Sequence, residues 1–145
     1  MSESETLRTV SVDRVGDRRY TATNVRGGRI EFGTGTGDDT DFTPVELLLA
    51  AIGGCTSIDA DVATSRHAAP VRFHVEVRGD KINDDEGSRM ENLAVTFHVE
   101  FPEGPGGDRA RAILPRAVRL SHDRLCTVSR TVERGTPIAS TVADD

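Results

Sequence analysis

The first third of the chain alternates between apolar and polar residues, which predicts short β-strands. Val10 and Val12 share the apolar face of the first segment. Two more segments have strand composition and follow turn-forming residues, namely Tyr20–Val25 and Arg29–Phe32. We expect a three-stranded meander, and then an exposed loop over 33–41, a stretch that contains no apolar residue.

The hydrophobic spacing changes to a helical period after this loop. Thr43, Pro44 and Glu46 are typical of a helix start, with Thr43 as N-cap, Pro44 in the first position and Glu46 closing a capping box. One apolar stripe follows at helical spacing and consists of Leu48, Ile52, Cys55 and Val62. This pattern predicts a helix of about 24 residues, roughly 36 Å long at 1.5 Å per residue, that ends before Pro70.

Two alternating segments in the middle of the chain predict a second pair of strands. Their inward faces consist of Val71, Phe73, Val75 and Val77 in one segment, and of Leu93, Val95, Phe97, Val99 and Phe101 in the other. The polar residues from Arg78 to Met90 predict a connection between these strands.

The last quarter of the chain predicts two helices and a strand. An amphipathic helix opens at Asp108, and Pro115 inside its pattern predicts a kink or a late start. Residues 125–132 predict a short helix, and residues 137–142 predict a last strand. The order of strands, long helix, strands, helices and strand predicts an α+β fold in a single domain, residues 1–145.

Composition narrows the possible partners of this domain. The chain has 145 residues and a net charge of −6, which argues against a nucleic acid or an anionic membrane as the main partner. We find no segment that approaches the roughly 20 apolar residues of a membrane-spanning helix, and the acidic amino terminus is unlike a secretory signal. We therefore expect a cytoplasmic protein whose two cysteines are thiols or redox partners rather than a permanent bridge.

The first cysteine follows two glycines inside the predicted long helix. A helix tolerates Gly53 and Gly54 where another backbone or a ligand must come close, so Cys55 lies at a point of close approach. Taken alone, Cys55 on an apolar stripe is most simply an inert core residue. Asp59, one turn later, would raise a thiol pKa. A basic group would have to compensate, and Arg26, Arg29 and Arg130 are the candidates.

The second cysteine, Cys126, opens a predicted helix, where unpaired N–H groups and the helix dipole favour a thiolate. A metal site would need both cysteines and a histidine such as His122, four residues before Cys126. The spacing does not match a closed zinc site, so we expect no metal. His74 and His98 fall on the outward faces of their strands.

Two segments carry a family resemblance. Residues 44–59 read Pro-Val-Glu-Leu-Leu-Leu-Ala-Ala-Ile-Gly-Gly-Cys-Thr-Ser-Ile-Asp, and residues 125–130 read Leu-Cys-Thr-Val-Ser-Arg. Together they resemble the two signature regions of the OsmC/Ohr family, whose element order also matches the order predicted above. The resemblance implies an interlocked homodimer, in which two curved antiparallel sheets enclose two central helices and the active sites lie at the subunit interface.

The resemblance also implies a thiol-dependent peroxidase that acts on small organic hydroperoxides without a cofactor. Cys55 would be the attacking thiolate, which becomes a sulfenic acid. Cys126 would be the resolving thiol, and a dithiol or a thiol protein would reduce the resulting disulfide. The family supplies a cation from its amino-terminal region to polarise the peroxide, and Arg26 or Arg29 is the nearest candidate by position.

The sequence departs from the characterised peroxidases of this family at two positions. Those proteins have a Glu ten residues before the first cysteine, where it orients the Arg, whereas this chain has Val45. Glu46, one residue later, is the candidate that could orient the Arg in its place, although its capping-box role explains it without catalysis. Thr127 takes the place of the usual Pro after the second cysteine. The alternative function is a non-catalytic ligand-binding or stress protein in which Cys55 only lines the interface pocket.

Overall fold

The structure is a computed structural model that describes residues 3–144. It contains helices and antiparallel sheets, so the α+β prediction is confirmed. The elements in chain order are α1 (Glu3–Thr6), β1 (Val10–Gly16), β2 (Arg19–Asn24), β3 (Arg29–Gly33), α2 (Pro44–Ser65), β4 (Arg72–Asp84), β5 (Gly87–Glu100), α3 (Pro105–Leu120), a π-helical turn (Ser121–Leu125) and α4 (Thr127–Arg134). The chain divides into two compact units, Met1–Leu48 and Leu49–Asp145.

The first unit contains the meander that the alternation predicted. Strands β1, β2 and β3 are antiparallel neighbours in that order. The rings of Tyr20 and Phe32 stack across β2 and β3 at 5.5 Å between centroids. The residues of the loop over 33–41 are mostly exposed, and Arg19 forms ion pairs with two of them, Asp39 and Asp41.

Helix α2 begins with the predicted capping box. The Thr43 N–H donates to Glu46 Oε1 at 2.9 Å, and the Glu46 N–H donates to Thr43 Oγ1 at 3.2 Å. These two bonds satisfy N–H groups that the first helical turn leaves without an intrahelical partner. Glu46 therefore has a complete structural role at the start of a helix of 22 residues.

The buried face of α2 differs from the predicted stripe. It consists of Ile52, Gly53, Thr56, Ala60 and Thr64. Val62 is 55% exposed, so its assignment to the buried stripe is wrong. The buried row follows a four-residue spacing of small side chains, which lets neighbouring segments pack closely against the helix axis. The Thr64 hydroxyl is satisfied within the helix, because it donates to the Ala60 carbonyl at 2.9 Å.

The expectation that no segment is long and apolar enough to span a membrane is also wrong. By length and composition alone, α2 meets that criterion, with a mean hydropathy of 1.4 over its most apolar window and 28% of that window buried. The core helix of a globular protein meets the same criterion. The fully buried Ala60 and Thr64 on one face of α2 are typical of such a core helix.

The second unit contains a long two-stranded hairpin. The alternation of Phe73, Val75 and Val77 is confirmed, and Phe73 meets Phe97 edge to face at 6.3 Å between ring centroids. Val71, however, lies outside β4 and is 70% exposed. The predicted connection over 78–90 is wrong, since β4 and β5 stay paired up to Asp84 and Gly87. Main-chain pairing does not depend on apolar side chains, so the ladder continues through this polar stretch.

The helices that follow β5 begin and end differently from the prediction. Helix α3 starts at Pro105 and not at Asp108, because proline fits the first helical position, where its missing N–H costs nothing. Pro115 lies inside the helix without delaying its start. The last strand, expected over 137–142, is wrong: the described residues after α4 form no strand, and Ile138 is 91% exposed. A strand needs a hydrogen-bonded neighbour, and this segment pairs with none among residues 3–144.

Of the two adjacent glycines in α2, Gly53 and Gly54, only Gly53 lies close to another element of the described chain. A Cβ built on Gly53 would overlap Cγ2 of Val77 in β4, whereas one built on Gly54 would meet no atom of the described residues within 4 Å outside its own stretch of helix. The predicted close approach therefore applies to Gly53 alone.

This difference gives a paired stability prediction. Gly53→Ala should lower the free energy of unfolding by about 1–3 kcal/mol, because the added methyl overpacks the contact with Val77. Gly54→Ala should not lower the free energy of unfolding, because the added methyl meets no neighbouring atom of the described residues. Alanine is also more stable than glycine inside a helix, by about 0.5–1 kcal/mol. Urea unfolding of both variants checks this prediction. Equal stabilities would show that β4 does not pack on α2 at Gly53.

Candidate active site: a pair of cysteine thiols

The second unit brings the two cysteines together across a separation of 71 positions (126 − 55). Cys55 lies in the middle of α2, and Cys126 is the N-cap residue of α4. Both are free thiols, and they lie close enough together for each to shift the pKa of the other. Cys55 is half-buried, whereas Cys126 is fully buried.

Cys126 is held by the first turn of α4. Its Sγ accepts a hydrogen bond from the Ser129 N–H at 3.3 Å and lies 3.1 Å from Ser129 Oγ. Burial raises the pKa of Cys126, but the hydrogen bond with the Ser129 hydroxyl, the hydrogen bond from the Ser129 N–H and the neighbouring Cys55 thiol outweigh this effect, so the pKa lies below its usual value. This helix start therefore stabilises a thiolate, as the sequence predicted.

The pKa of Cys55 is shifted in the opposite direction. Burial raises the pKa of its thiol, and the neighbouring Cys126 and Asp59 raise it further, against a hydrogen bond from the Val128 backbone that lowers it. The effect of Asp59 has the direction predicted from its place one turn after Cys55. The pair thus combines a half-buried, less acidic thiol with a fully buried, more acidic one. Sequence reasoning did not foresee this order, because it arises from the burial of Cys55 and from the hydrogen bonds between Cys126 and Ser129 in the folded chain.

A buried polar cluster lies next to the two thiols. The Ser121 hydroxyl donates to Asp59 Oδ2 at 2.7 Å and lies 3.0 Å from Thr56 Oγ1. Ser121 is fully buried, and Thr56 is 6% exposed. Sequence analysis missed Ser121, since a single serine in a helical segment carries no signal of a partner 62 positions away.

A cavity of about 550 Å³ opens beside this site. Its wall includes Thr56, which directly follows Cys55 in the sequence. It also includes Ser129, whose Oγ lies 3.1 Å from Cys126 Sγ. The apolar part of its wall consists of Ile52, Leu93, Val95, Phe97, Val118 and Val132. The polar part includes Arg119, His122, Asp123 and Glu133. Such a cavity has the volume and the mostly apolar lining of a small-molecule site.

His122 belongs to the cavity wall, where two carboxylates contact its ring. Its Nδ1 lies 2.9 Å from Asp123 Oδ1, and its Nε2 lies 2.6 Å from Glu133 Oε1. The hydrogen bond with Asp123 and the charge of Glu133 raise the pKa of His122 and so favour its protonated form, which is not a metal ligand. The described part of the chain contains no group of three or more His, Cys, Asp or Glu residues placed to hold a metal ion.

Of the other predicted site residues, Arg130 lies on α4 in the second unit and is exposed, whereas Arg26, Arg29 and Glu46 lie in the first unit. Arg26 and Arg29 are exposed; the Arg26 N–H donates to Asn24 Oδ1, and Arg29 opens β3. Glu46 is bonded to the Thr43 N–H in the capping box. Each of these residues is thus placed within its own unit, and their roles toward the thiols stay predictions.

An α+β fold that holds two free cysteines in contact beside an apolar cavity defines a dithiol protein. Residues 36–141 match the model of the family described as OsmC-like protein, and the chain belongs to this family. The predicted family is thereby confirmed.

Similar proteins cover almost the whole chain. An uncharacterised protein of Mycobacterium tuberculosis is 29% identical over 136 residues, which cover 92% of this chain and 94% of the relative. An OsmC-like protein of unknown function from Vibrio cholerae has a similar structure, with a TM-score of 0.72, 14% identity, and coverage of 88% of this chain and 94% of that one. The organic hydroperoxide resistance protein OhrB of Bacillus subtilis has a TM-score of 0.53 and 19% identity, with coverage of 86% and 90%. These structural likenesses show a shared fold.

Proposed function

We propose that this protein is a thiol-dependent peroxidase that reduces organic hydroperoxides through Cys55 and Cys126. The observation that carries the proposal is the contact between the two thiols beside the apolar cavity. Membership of the OsmC-like family and the likeness to organic hydroperoxide resistance proteins support a peroxidase-like or stress role.

The difference in exposure favours Cys55 for the first step. A hydroperoxide can reach the half-buried Cys55, while the fully buried Cys126 is shielded. The Cys55 proton passes to the neighbouring Cys126 thiolate, and the Cys55 thiolate attacks the O–O bond. Cys55 becomes a sulfenic acid, and the leaving alkoxide takes the proton from the Cys126 thiol to give an alcohol, which returns Cys126 to the thiolate form. The apolar cavity would hold the organic group of the substrate.

The acidity of Cys126 suits the two later steps. As a thiolate it attacks the Cys55 sulfenic acid, forms the disulfide and expels hydroxide, which is protonated to water. A dithiol or a thiol protein then supplies two electrons by attacking the sulfur of Cys55, the more accessible of the two. Cys126 leaves as the thiolate that Ser129 stabilises, and a thiol of lower pKa leaves faster.

We also propose a homodimer, in which Arg26 or Arg29 serves as the cation that polarises the peroxide. Large apolar side chains are exposed on both units, among them Val10 and Val12 on β1 and Ile58 and Val62 on α2. Covering such residues is the ordinary driving force of subunit association. Sedimentation at micromolar concentration should give twice the chain mass of 15.6 kDa, and a monomer would contradict the interlocked arrangement.

The direct test of the proposed function is consumption of an alkyl hydroperoxide by the purified protein with a dithiol as reductant. Turnover that stops after the thiols are alkylated supports the peroxidase. No consumption, together with saturable binding of a small apolar probe in the cavity, would favour the alternative of a non-catalytic ligand-binding protein. The cavity is the observation that supports this second function.

A further inference from the structure

Ser121 connects the helix that carries Cys55 to the backbone of Cys126. Its buried hydroxyl donates to Asp59 Oδ2 on α2 at 2.7 Å. Its carbonyl accepts the Cys126 N–H at 2.7 Å. One residue therefore joins Asp59, one turn after Cys55, to the main chain of the second cysteine.

The segment between Ser121 and Cys126 has an unusual geometry. Ser121–Leu125 form a π-helical turn, and its bond from the Cys126 N–H to the Ser121 carbonyl spans five residues. A π-helical turn is rare, occurs mostly as a single turn, and is frequent at functional sites, where other contacts hold it. The hydrogen bond to Asp59 is such a contact, and Cys126 begins a new helix directly after the turn.

We propose that Asp59 is a positioning residue that anchors Ser121 and so holds Cys126 against Cys55 in the geometry of disulfide closure. This inference rests on the proposed function and deepens it, because it assigns the preorganisation of the thiol pair to two residues outside the pair. A preorganised pair loses less conformational freedom when its disulfide closes, and the disulfide is correspondingly favoured.

Asp59 has two effects that its variants separate. Its carboxylate oxygen accepts the Ser121 hydrogen bond, and its negative charge opposes ionisation of both thiols. Asp59→Asn keeps an oxygen acceptor at this place and removes the charge. Asp59→Ala removes both, and Ser121→Ala removes the donor while leaving the charge.

The experiment equilibrates each variant with mixtures of reduced and oxidised dithiothreitol at mildly acidic pH, where thiolate charge has little influence. The reagent takes two electrons and two protons from the cysteines as the Cys55–Cys126 disulfide forms. Asp59→Ala and Ser121→Ala should each lower the equilibrium constant about tenfold, equivalent to about 30 mV for a two-electron couple. The double variant should fall no further, since both changes break one interaction. Asp59→Asn should stay within about twofold of the wild type.

A second readout on the same proteins isolates the charge. The pH profile of thiol alkylation should shift to lower pH in Asp59→Asn, because an anion beside both thiols has been removed. The matched control is Ser65→Ala, which breaks the exposed bond from Ser65 Oγ to Asp61 Oδ1 (2.8 Å) on the same helix and should leave both readouts unchanged.

A wild-type equilibrium constant in Asp59→Ala would overturn the inference, and so would an equal fall in Ser65→Ala. If Ser121→Ala does not fold, the comparison of Asp59→Ala with Asp59→Asn decides the question. These measurements use no hydroperoxide, so failure of the peroxidase proposal would appear separately, as a wild-type protein that closes its disulfide but consumes no hydroperoxide.

Discussion

Cys55→Ser is expected to reduce hydroperoxide consumption to the rate measured without protein. A serine hydroxyl has about the size of the thiol but does not ionise near neutral pH, so the nucleophile is lost while the packing around α2 is nearly preserved. Cys55 is the more exposed thiol, and the fully buried Cys126 cannot replace it. The measurement is loss of an alkyl hydroperoxide in the presence of excess dithiol.

The matched control for this variant is Ser65→Ala on the exposed face of the same helix, which should keep wild-type activity. Because Cys126 has the lower pKa of the two thiols, one result would contradict the assignment of the first step to Cys55. If Cys55→Ser kept its activity and Cys126→Ser lost it, the buried, more acidic cysteine would be the attacking thiol. The assignment of the first step by exposure would then be wrong.

Cys126→Ser has the second-largest expected effect. The Cys55 thiol should still react once with a hydroperoxide, but no neighbouring thiolate then converts the sulfenic acid into a disulfide. We expect turnover with a dithiol to fall at least about tenfold, because an intramolecular thiol acts at a much higher effective concentration than an external one. Mass spectrometry of the treated variant should find Cys55 with one added oxygen atom, and a sulfenic-acid probe should label it.

Full turnover by Cys126→Ser would mean that the external reductant resolves Cys55 directly and that the contact between the two thiols has another purpose. Ser129→Ala provides the graded comparison, since it removes the hydroxyl beside Cys126 but leaves the backbone N–H and the thiol in place. Its turnover should lie between those of the wild type and Cys126→Ser.

Local patterns predicted the elements of this fold well. The meander, the capping box at Thr43 and the alternation in β4 all depend on residues close together in the sequence, and each was confirmed. The errors occur where strand pairing or tertiary packing, and not the local sequence, determines the structure. Polar residues of the β4–β5 hairpin extend a ladder that side-chain hydrophobicity does not indicate, and the apolar segment after α4 finds no partner strand among the described residues.

The candidate site was predictable only in part. The family resemblance pointed to Cys55 and Cys126 as a pair, and the structure brings their thiols together. The order of their acidities depends on the burial of Cys55 and on Ser129, whose hydrogen bonds with Cys126 form only in the folded chain. The contact between Asp59 and Ser121 joins positions that no periodicity connects, so a sequence without aligned relatives could not indicate it.

Non-reducing mass spectrometry after one equivalent of an alkyl hydroperoxide tests the central proposal most directly. The protein should lose both free thiols, and peptide mapping should find one disulfide, between Cys55 and Cys126 of the same chain. Two intact thiols with the hydroperoxide unconsumed would contradict the proposal. A stable oxygen adduct on Cys55 with Cys126 still free would contradict the role of Cys126 as its resolving partner.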